Sequence, residues 1–567
     1  MRVSAIQLEQ RVGDPDANMA TAMSYLSRAV EEGSSLIVLP ELFKTGYIHR
    51  DRREALSLAE FVTGETTAEI VSHLRGSSAK VVFGMIESDP STGLLYNSAV
   101  VVGQDGILGR YRKSHLYIAD SLWSSSGAMA PFDFEVDGLR ARVVICADIE
   151  FPEVAYSRIA PPVDIICLPT AWVDEKAPSM NWWARAIESG ASLVCADLAG
   201  VEEGVQFSGG SSILAPDGTV LATIDTGSGL ISAEVNSGLR PFRKIEQRLF
   251  LGTETFSRDE LKLRAISAVP KSSEVEVQLL IVDGTKTSDG AEEDWPQLLA
   301  SNAVVDLDFS SGSVIVVSLI GFGGKERLEA LVKAVDGRFD DEAKFVRQLD
   351  DEMGDGVVAE PQRVIGITEV ENQGRRGLGV FQGSSWQFLA CGEVEAFTFE
   401  KGIGGQGEQL GGSVVTLGVV DARDLSEFIE TRVVALNGAD LIFVVGSESE
   451  VPPLTPRPPS KIDLPPYVDW GPQTYSFSIM RQRAGENSTP MVALLRDDLA
   501  SVDGGGAVLR QSGVFGGDYW TFPYSEAIFG RDSFVAEIGV EYLKFRLRLN
   551  VEKGYMRRRH PDLYGLL

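Results

Sequence analysis

The feature that most constrains this chain is an outline that occurs twice. ARVVICADIEFPEVAYSRIAPPVDIICLP and TLGVVDARDLSEFIETRVVALNGADLIFVV each run from an apolar, β-branched strand through a polar corner and a helical stretch into a second buried strand. Other segments repeat in the same order. VQLLIVDG parallels the opening strand, SVIVVSLIGF parallels SLIVLPELF, RVIGITEVENQGRRGLGVFQGSSWQF parallels KVVFGMIESDPSTGLLYNSAVV, and RAGENSTPMV parallels RAIESGASLV. A period of ~280 residues is far beyond any solenoid repeat and reads as duplicated domains. A length of 567 residues already demands more than one core. The expected domains are 1–270 and 271–567, with a boundary near 268–273. The proline-rich VPPLTPRPPSKIDLPP is read as an extended loop inside the second copy.

Within each copy strands alternate with helices. Residues 2–8 read as a strand, and Met19, Ala22, Met23, Leu26, Ala29 and Val30 recur at helical spacing. SSLIVLP, KVVFGMIE, LYNSAVVVG, ARVVICA, VDIICLP and SLVCADL continue as strands, with helices expected at 67–74, 153–160 and 182–189. SSILAPDGTVLAT reads as a hairpin turning at Asp217-Gly218. The pattern specifies a layered α/β fold with mixed sheets.

A formal net charge of −29 repels nucleic acid and anionic membranes. No apolar run reaches the ~18 residues that span a bilayer, and MRVSAIQLEQ enters a strand directly rather than a signal peptide's apolar stretch. The four cysteines, Cys146, Cys167, Cys195 and Cys391, have no CxxC spacing, which disfavours disulfides and zinc and fits a reducing cytoplasm.

Three residues of the first copy stand where chemistry gathers in open α/β folds, at strand ends. Glu41 follows a strand in LPELF, Lys113 follows one in GRYRKSHL, and Cys146 closes RVVICA. Taken together they form a coherent nucleophile site. Helix N-terminal amides, with Pro152 in the first turn, and the lysine would lower the thiol pKa. Glu41 would take the thiol proton and later activate water. Lys113 and the backbone N–H of Ala147 would hold an oxyanion. Among four histidines only His115 lies nearby, which argues against a cysteine–histidine protease.

PELF, YRKSHL and CADIEFPE resemble the three signature blocks of the nitrilase superfamily of carbon–nitrogen hydrolases. RAIESGASLVCADLAG, FSGGSSILAPDGTVLA and the terminal RRRHPDLYGLL are similar to further blocks. The resemblance covers about residues 1–265. It implies an αββα four-layer sandwich, here in two copies, and a Glu41–Lys113–Cys146 triad working through a thioester without metal or organic cofactor. Family amidases carry a second glutamate beyond the lysine, and Asp120 is its counterpart here. Ala147 and Glu150 stand where relatives that take carboxylate-bearing substrates have an aromatic residue and an arginine. A neutral or cationic amide or ureido compound is therefore expected. Trp172 is expected in the pocket wall, with Trp123 in the wall or the core.

The second copy places Ala422 opposite Cys146, Asp424 opposite Asp148, Leu319 or Ile320 opposite Glu41, and Lys401 opposite Lys113. It cannot form a thioester, and is expected to be a degenerate partner forming an internal pseudo-dimer, with further homo-oligomers possible. The expected activity is cysteine-dependent amide hydrolysis. Acyl transfer to an amine and a non-catalytic scaffold are the alternatives.

Overall fold

The computed structural model describes residues 1–237, apart from 12, 128–129, 156–162 and 174–176. Beyond these it describes 276–283, 314–320, 328–334, 364–382, 385–399, 413–425, 428–436, 438–447, 483–484, 486–487, 489, 491–496, 513–515, 533–535 and 540–548. The chain divides into two compact units, one holding the described residues to 237, the other those from 276. The proline-rich stretch, the terminal RRRHPDLYGLL and the expected boundary lie outside the described residues.

The first unit opens with β1 (Arg2–Glu9), α1 (Pro15–Glu31), β2 (Leu36–Val38), α2 (Arg52–Leu58) and α3 (Glu65–His73). It continues through β3 (Lys80–Ser88), β4 (Leu95–Gly103), β5 (Gly106–Arg112), β6 (Phe132–Val136), β7 (Leu139–Val143), α4 (Pro152–Ala155) and β8 (Ile165–Pro169). It ends with α5 (Met180–Ser189), β9 (Ser192–Ala196), β10 (Leu198–Glu202), β11 (Val205–Ser208), β12 (Ser212–Leu214), β13 (Val220–Thr223) and β14 (Gly229–Glu234).

One sheet runs β11-β10-β1-β2-β3-β4-β5, with β14 antiparallel to β1; the other runs β13-β12-β9-β8-β7-β6. Parallel pairs sit centrally (β1-β2-β3 and β7-β8-β9) and antiparallel hairpins flank them, the arrangement of strands buried on both faces. The sheets face each other, with β1 and β2 against β9 and with β2 and β3 against β8. Helix α1 starts where Asp14 accepts from Ala17 N at 3.0 Å, with Pro15 in its first turn. It buries Met19, Ala22, Met23, Leu26 and Ala29 on the outer face of the first sheet, beside Ile70 of α3. Helix α5, capped by Ser179 and ended by Gly190 in the left-handed region, packs on β9. The first unit is thus the expected αββα stack.

The described part of the second unit contains β15 (Glu276–Asp283), β16 (Val314–Ile320), β17 (Val364–Asn372), β18 (Arg375–Gln382), β19 (Ser385–Ala390) and β20 (Val394–Phe399). Then come β21 (Ser413–Asp421), α6 (Phe428–Leu436), β22 (Leu441–Ser447), β23 (Met491–Arg496), β24 (Gly513–Phe515), β25 (Ser533–Val535) and β26 (Val540–Arg548). Its sheets run β19-β18-β17-β16-β15-β26-β25 and β20-β21-β22-β23-β24.

Candidate active site

Three backbone corners bring the expected residues together. Past β2 the chain passes Pro40 to Glu41, and Leu42 takes φ +48°. Gly84 of β3 permits this bend, because a Cβ there would stand 2.6 Å from Glu41 Cα and Leu42 N. Lys113 directly follows β5, its N–H donating to Asn97 O at 2.8 Å. Strand β7 stops at Val143, Ile145 is extended, and Cys146 adopts φ +44°. Left-handed backbone costs a side-chain-bearing residue roughly 1–2 kcal/mol, so two such residues here mark a constrained site. The helix expected after the thiol, with Pro152 in its first turn, begins there. What the sequence did not announce is the 3₁₀ turn, Cys146–Glu150, that stands between the thiol and α4.

Glu41, Lys113 and Asp120 have no exposure. Lys113 Nζ donates to Glu41 Oε1 at 2.7 Å and to Asp120 Oδ2 at 2.6 Å. Asn97 Nδ2, on β4, donates to the same Glu41 oxygen at 2.7 Å and to Asp120 Oδ1 at 3.0 Å. Asp120 Oδ2 also accepts from Tyr117 N at 2.9 Å. Two carboxylates thus share one ammonium and one amide, and Glu41 Oε2 is left without a partner.

The electrostatics follow. Burial pushes the Glu41 carboxyl up, Lys113 pulls it back, Asp120 adds to the rise, and it settles above its usual value. Burial works against charge on Lys113, but Asp120, Glu41 and Cys146 together outweigh it and hold the ammonium well above its ordinary range. The lowered thiol pKa expected from the sequence does not hold in the free site. Burial first, then Glu41, raise Cys146 well above a normal thiol, against the pull of Lys113, the Thr170 hydroxyl and the Ala171 N–H. Burial and the neighbouring carboxylate explain the reversal. A protonated thiol therefore stands beside a carboxylate with one open oxygen, which suits proton transfer during attack rather than a standing thiolate.

Asp148 fastens the two loops. Its Oδ1 accepts from His115 N at 3.0 Å and lies 2.7 Å from His115 Nδ1, while Oδ2 accepts from Ile145 N at 3.1 Å. His115 is stacked on Phe151 at 3.8 Å. The 3₁₀ turn is held from behind by Arg185 of α5, which donates to Ile149 O at 2.8 Å and Glu150 O at 3.4 Å and pairs with Glu188. Ala147 and Glu150 are buried in that turn, so Glu150 does not face solvent. Trp172, just past β8, is buried, donates its N–H to Asp197 Oδ1 at 2.8 Å and meets Trp182 edge-on at 5.6 Å. Trp123 belongs to the hydrophobic core, with its ring edge-on to His49.

Sequence reading missed Asn97, Thr170 and Tyr47. Asn97 carries a signal, a polar side chain within the wholly buried strand LYNSAVVVG. Thr170, in LPTAW, and Tyr47, in TGYIH, carry none, because hydroxyls and rings at strand ends and loops are ordinary. Among the described residues no three His, Cys, Asp or Glu side chains are grouped to hold a metal.

The carbon–nitrogen hydrolase family model matches residues 2–244. A nitrilase from Pyrococcus abyssi (strain GE5 / Orsay) is 35% identical over 223 residues, which are 39% of this chain and 84% of the relative. A 2-oxoglutaramate amidase from Bacillus subtilis (strain 168) is 26% identical over 41% of this chain and 90% of its own length. A solved amidase from Nesterenkonia sp. AN1, in which acrylamide has added to the active-site cysteine, is 26% identical. That match covers 44% of this chain and 99% of the amidase at a TM-score of 0.38.

Proposed function

The chain belongs to the carbon–nitrogen hydrolase family and acts on non-peptide carbon–nitrogen bonds, and from that premise we propose that it is an amidohydrolase working through a thioester on Cys146. Glu41 takes the thiol proton on Oε2 as sulfur attacks the amide carbon. Lys113, with two Nζ protons held by Glu41 and Asp120, turns its third to the oxyanion beside the Ala147 N–H. Glu41 passes its proton to the nitrogen, the C–N bond breaks and ammonia or an amine leaves. A water that gives its proton to Glu41 then attacks the thioester, releasing the acid and restoring the thiol. Asn97 and Asp120 fix the geometry of Glu41 and Lys113. The observation that carries this reading is the open Glu41 oxygen in a fully buried cluster at the Cys146 corner.

We propose a neutral or cationic small amide or ureido substrate. Glu41 and Asp120 against Lys113 leave the cluster formally negative, and the other buried cations nearby are engaged, Arg142 by Asp133 and Arg185 by Glu188. Ammonia release from paired amides differing by a carboxylate or an amine, with wild type and Cys146→Ala, tests both statements. Release that survives the substitution overturns the thioester, and preference for the acidic member overturns the substrate class.

We also propose that the second unit is a degenerate copy of the first. Support comes from strand order. The run β19-β18-β17-β16-β15-β26 matches β5-β4-β3-β2-β1-β14, and β20-β21-β22-β23-β24 matches β6-β7-β8-β9-β12. Single residues agree. Asp164 exchanges main-chain and carboxylate bonds with Arg140 as Asp440 does with Thr416. Arg483 donates to Leu425 O at 2.9 Å and pairs with Glu486 at 2.7 Å, as Arg185 does with Ile149 and Glu188. By this register Ala422 stands at the nucleophile position and does not take left-handed backbone. Lys401 lies outside the described residues. The copy's proposed task is that of a built-in dimer partner in the cytoplasm; a soluble, fully active fragment cut near residue ~270 would remove that task.

A further inference from the structure

Buried polar atoms nearly always find partners, so those lacking one indicate where another molecule completes the structure. Glu41 Oε2, the Tyr47 hydroxyl and Asn97 Oδ1 are buried without a hydrogen bond. Glu41 and Asn97 belong to the cluster around Lys113, and Thr170 neighbours the Cys146 thiol.

Tyr47 is only 2% exposed, and Lys113 Nζ lies 5.7 Å from its ring centre. Its backbone cannot easily swing the hydroxyl elsewhere. Tyr47 N and Ile48 N donate to the two Glu202 oxygens at 2.9 and 3.1 Å, and the ring meets Phe207 edge-on at 6.0 Å. Gly46, at φ +84°, leaves room for that carboxylate, which a Cβ would approach to 2.5 Å. Burial, then Asp120, Glu41 and Cys146, keep the phenol protonated. It is a donor without an acceptor, on a ring whose centre lies 5.7 Å from Lys113 Nζ. Donors for an oxygen, Tyr47 beside Lys113 and the Ala147 N–H, with open acceptors on Glu41 and Asn97, complement a carboxamide, whose carbonyl accepts hydrogen bonds and whose NH₂ donates two.

Resting on the amidohydrolase reading, we propose that Tyr47 is a substrate-binding residue whose hydroxyl donates to the carbonyl oxygen of a primary carboxamide. A nitrile has no N–H for the acceptor oxygens and is disfavoured by the same set.

Tyr47→Phe removes the hydroxyl and keeps the ring. The expected result is a fall of about 10- to 100-fold in kcat/KM for a primary carboxamide, with Tm unchanged or raised because an unpaired buried hydroxyl is gone. Acrylamide labelling of Cys146, read by intact mass, should slow at least ~5-fold, while labelling by methyl methanethiosulfonate, which has no carbonyl, should not change. Wild-type rates in both assays overturn the proposal. So does a loss accompanied by a lower Tm, which makes the hydroxyl a structural group. Slowed acrylamide labelling in a protein that releases no ammonia would overturn the amidohydrolase reading and leave the Tyr47 contact standing.

Discussion

Cys146 and Ala422 end equivalent strands by the register proposed above, and the corners differ more than the loss of one sulfur. At Cys146 the backbone is left-handed, and Asp148 binds both Ile145 N and His115. At Ala422 the backbone is not left-handed, and the preceding Asp421 receives Arg376 and Arg423, the latter at 2.9 and 2.6 Å. Yet an arginine donating to a carbonyl of the turn is present in both. The scaffold contacts are therefore separable from the strain and charge that make a nucleophile corner.

The largest effect should come from moving the thiol. Cys146→Ala is expected to lower ammonia release at least ~10³-fold, and adding Ala422→Cys should restore none of it, since no strained turn receives the sulfur. Recovery of turnover in the double variant would break the contrast. Next in size is the shared clasp. Arg185→Ala and Arg483→Ala each remove the cation paired with a buried glutamate and the donor to the turn carbonyl, and should cost their own unit about 3–5 kcal/mol by denaturant unfolding. Only the first should also change the rate of Cys146 labelling. Third, Gly84→Ala drives a methyl into the Glu41 backbone and should cost about 1–3 kcal/mol with most of the activity, whereas Gly366→Ala meets only movable Val332 and Leu328 side chains and should cost less.

The smallest effect concerns pH. Asp197 is buried, one oxygen has no partner, and burial holds its carboxyl well above the ordinary range, against the N–H bonds of Trp172 and Leu198. As pH rises past the unfolded value the unfolded chain releases this proton and the folded one keeps it, so the group's stabilisation is present at acid pH and declines upward. Asp197→Asn, which cannot ionise, should match wild type near pH 4 and exceed its Tm by a few degrees at pH 8. An equal Tm difference at both pH values would remove the carboxyl as the cause.

Much of the fold was legible because both units write strands as unbroken apolar runs and the first writes its helices as periodic stripes. Glu41, Lys113 and Cys146 stood out because charges and a thiol at strand ends contrast with what precedes them. The thiol's raised pKa was not legible, since it depends on complete burial and on a carboxylate over one hundred residues away in the chain. Asn97 bridges Glu41 and Asp120 only because two separate loops converge on β4. Convergence of that kind leaves no trace in local pattern.

In the first sheet β1 lies between β2 and β10 and also pairs with β14; β15 likewise pairs with β26. On a ribosome adding about 5–20 residues per second, the earliest strand of each unit waits roughly 10–55 s for its last neighbour to be made. For that interval an apolar strand presents an open edge. Translation speed and chaperone access during two successive waits are then expected to bear on how much of this chain reaches its native form.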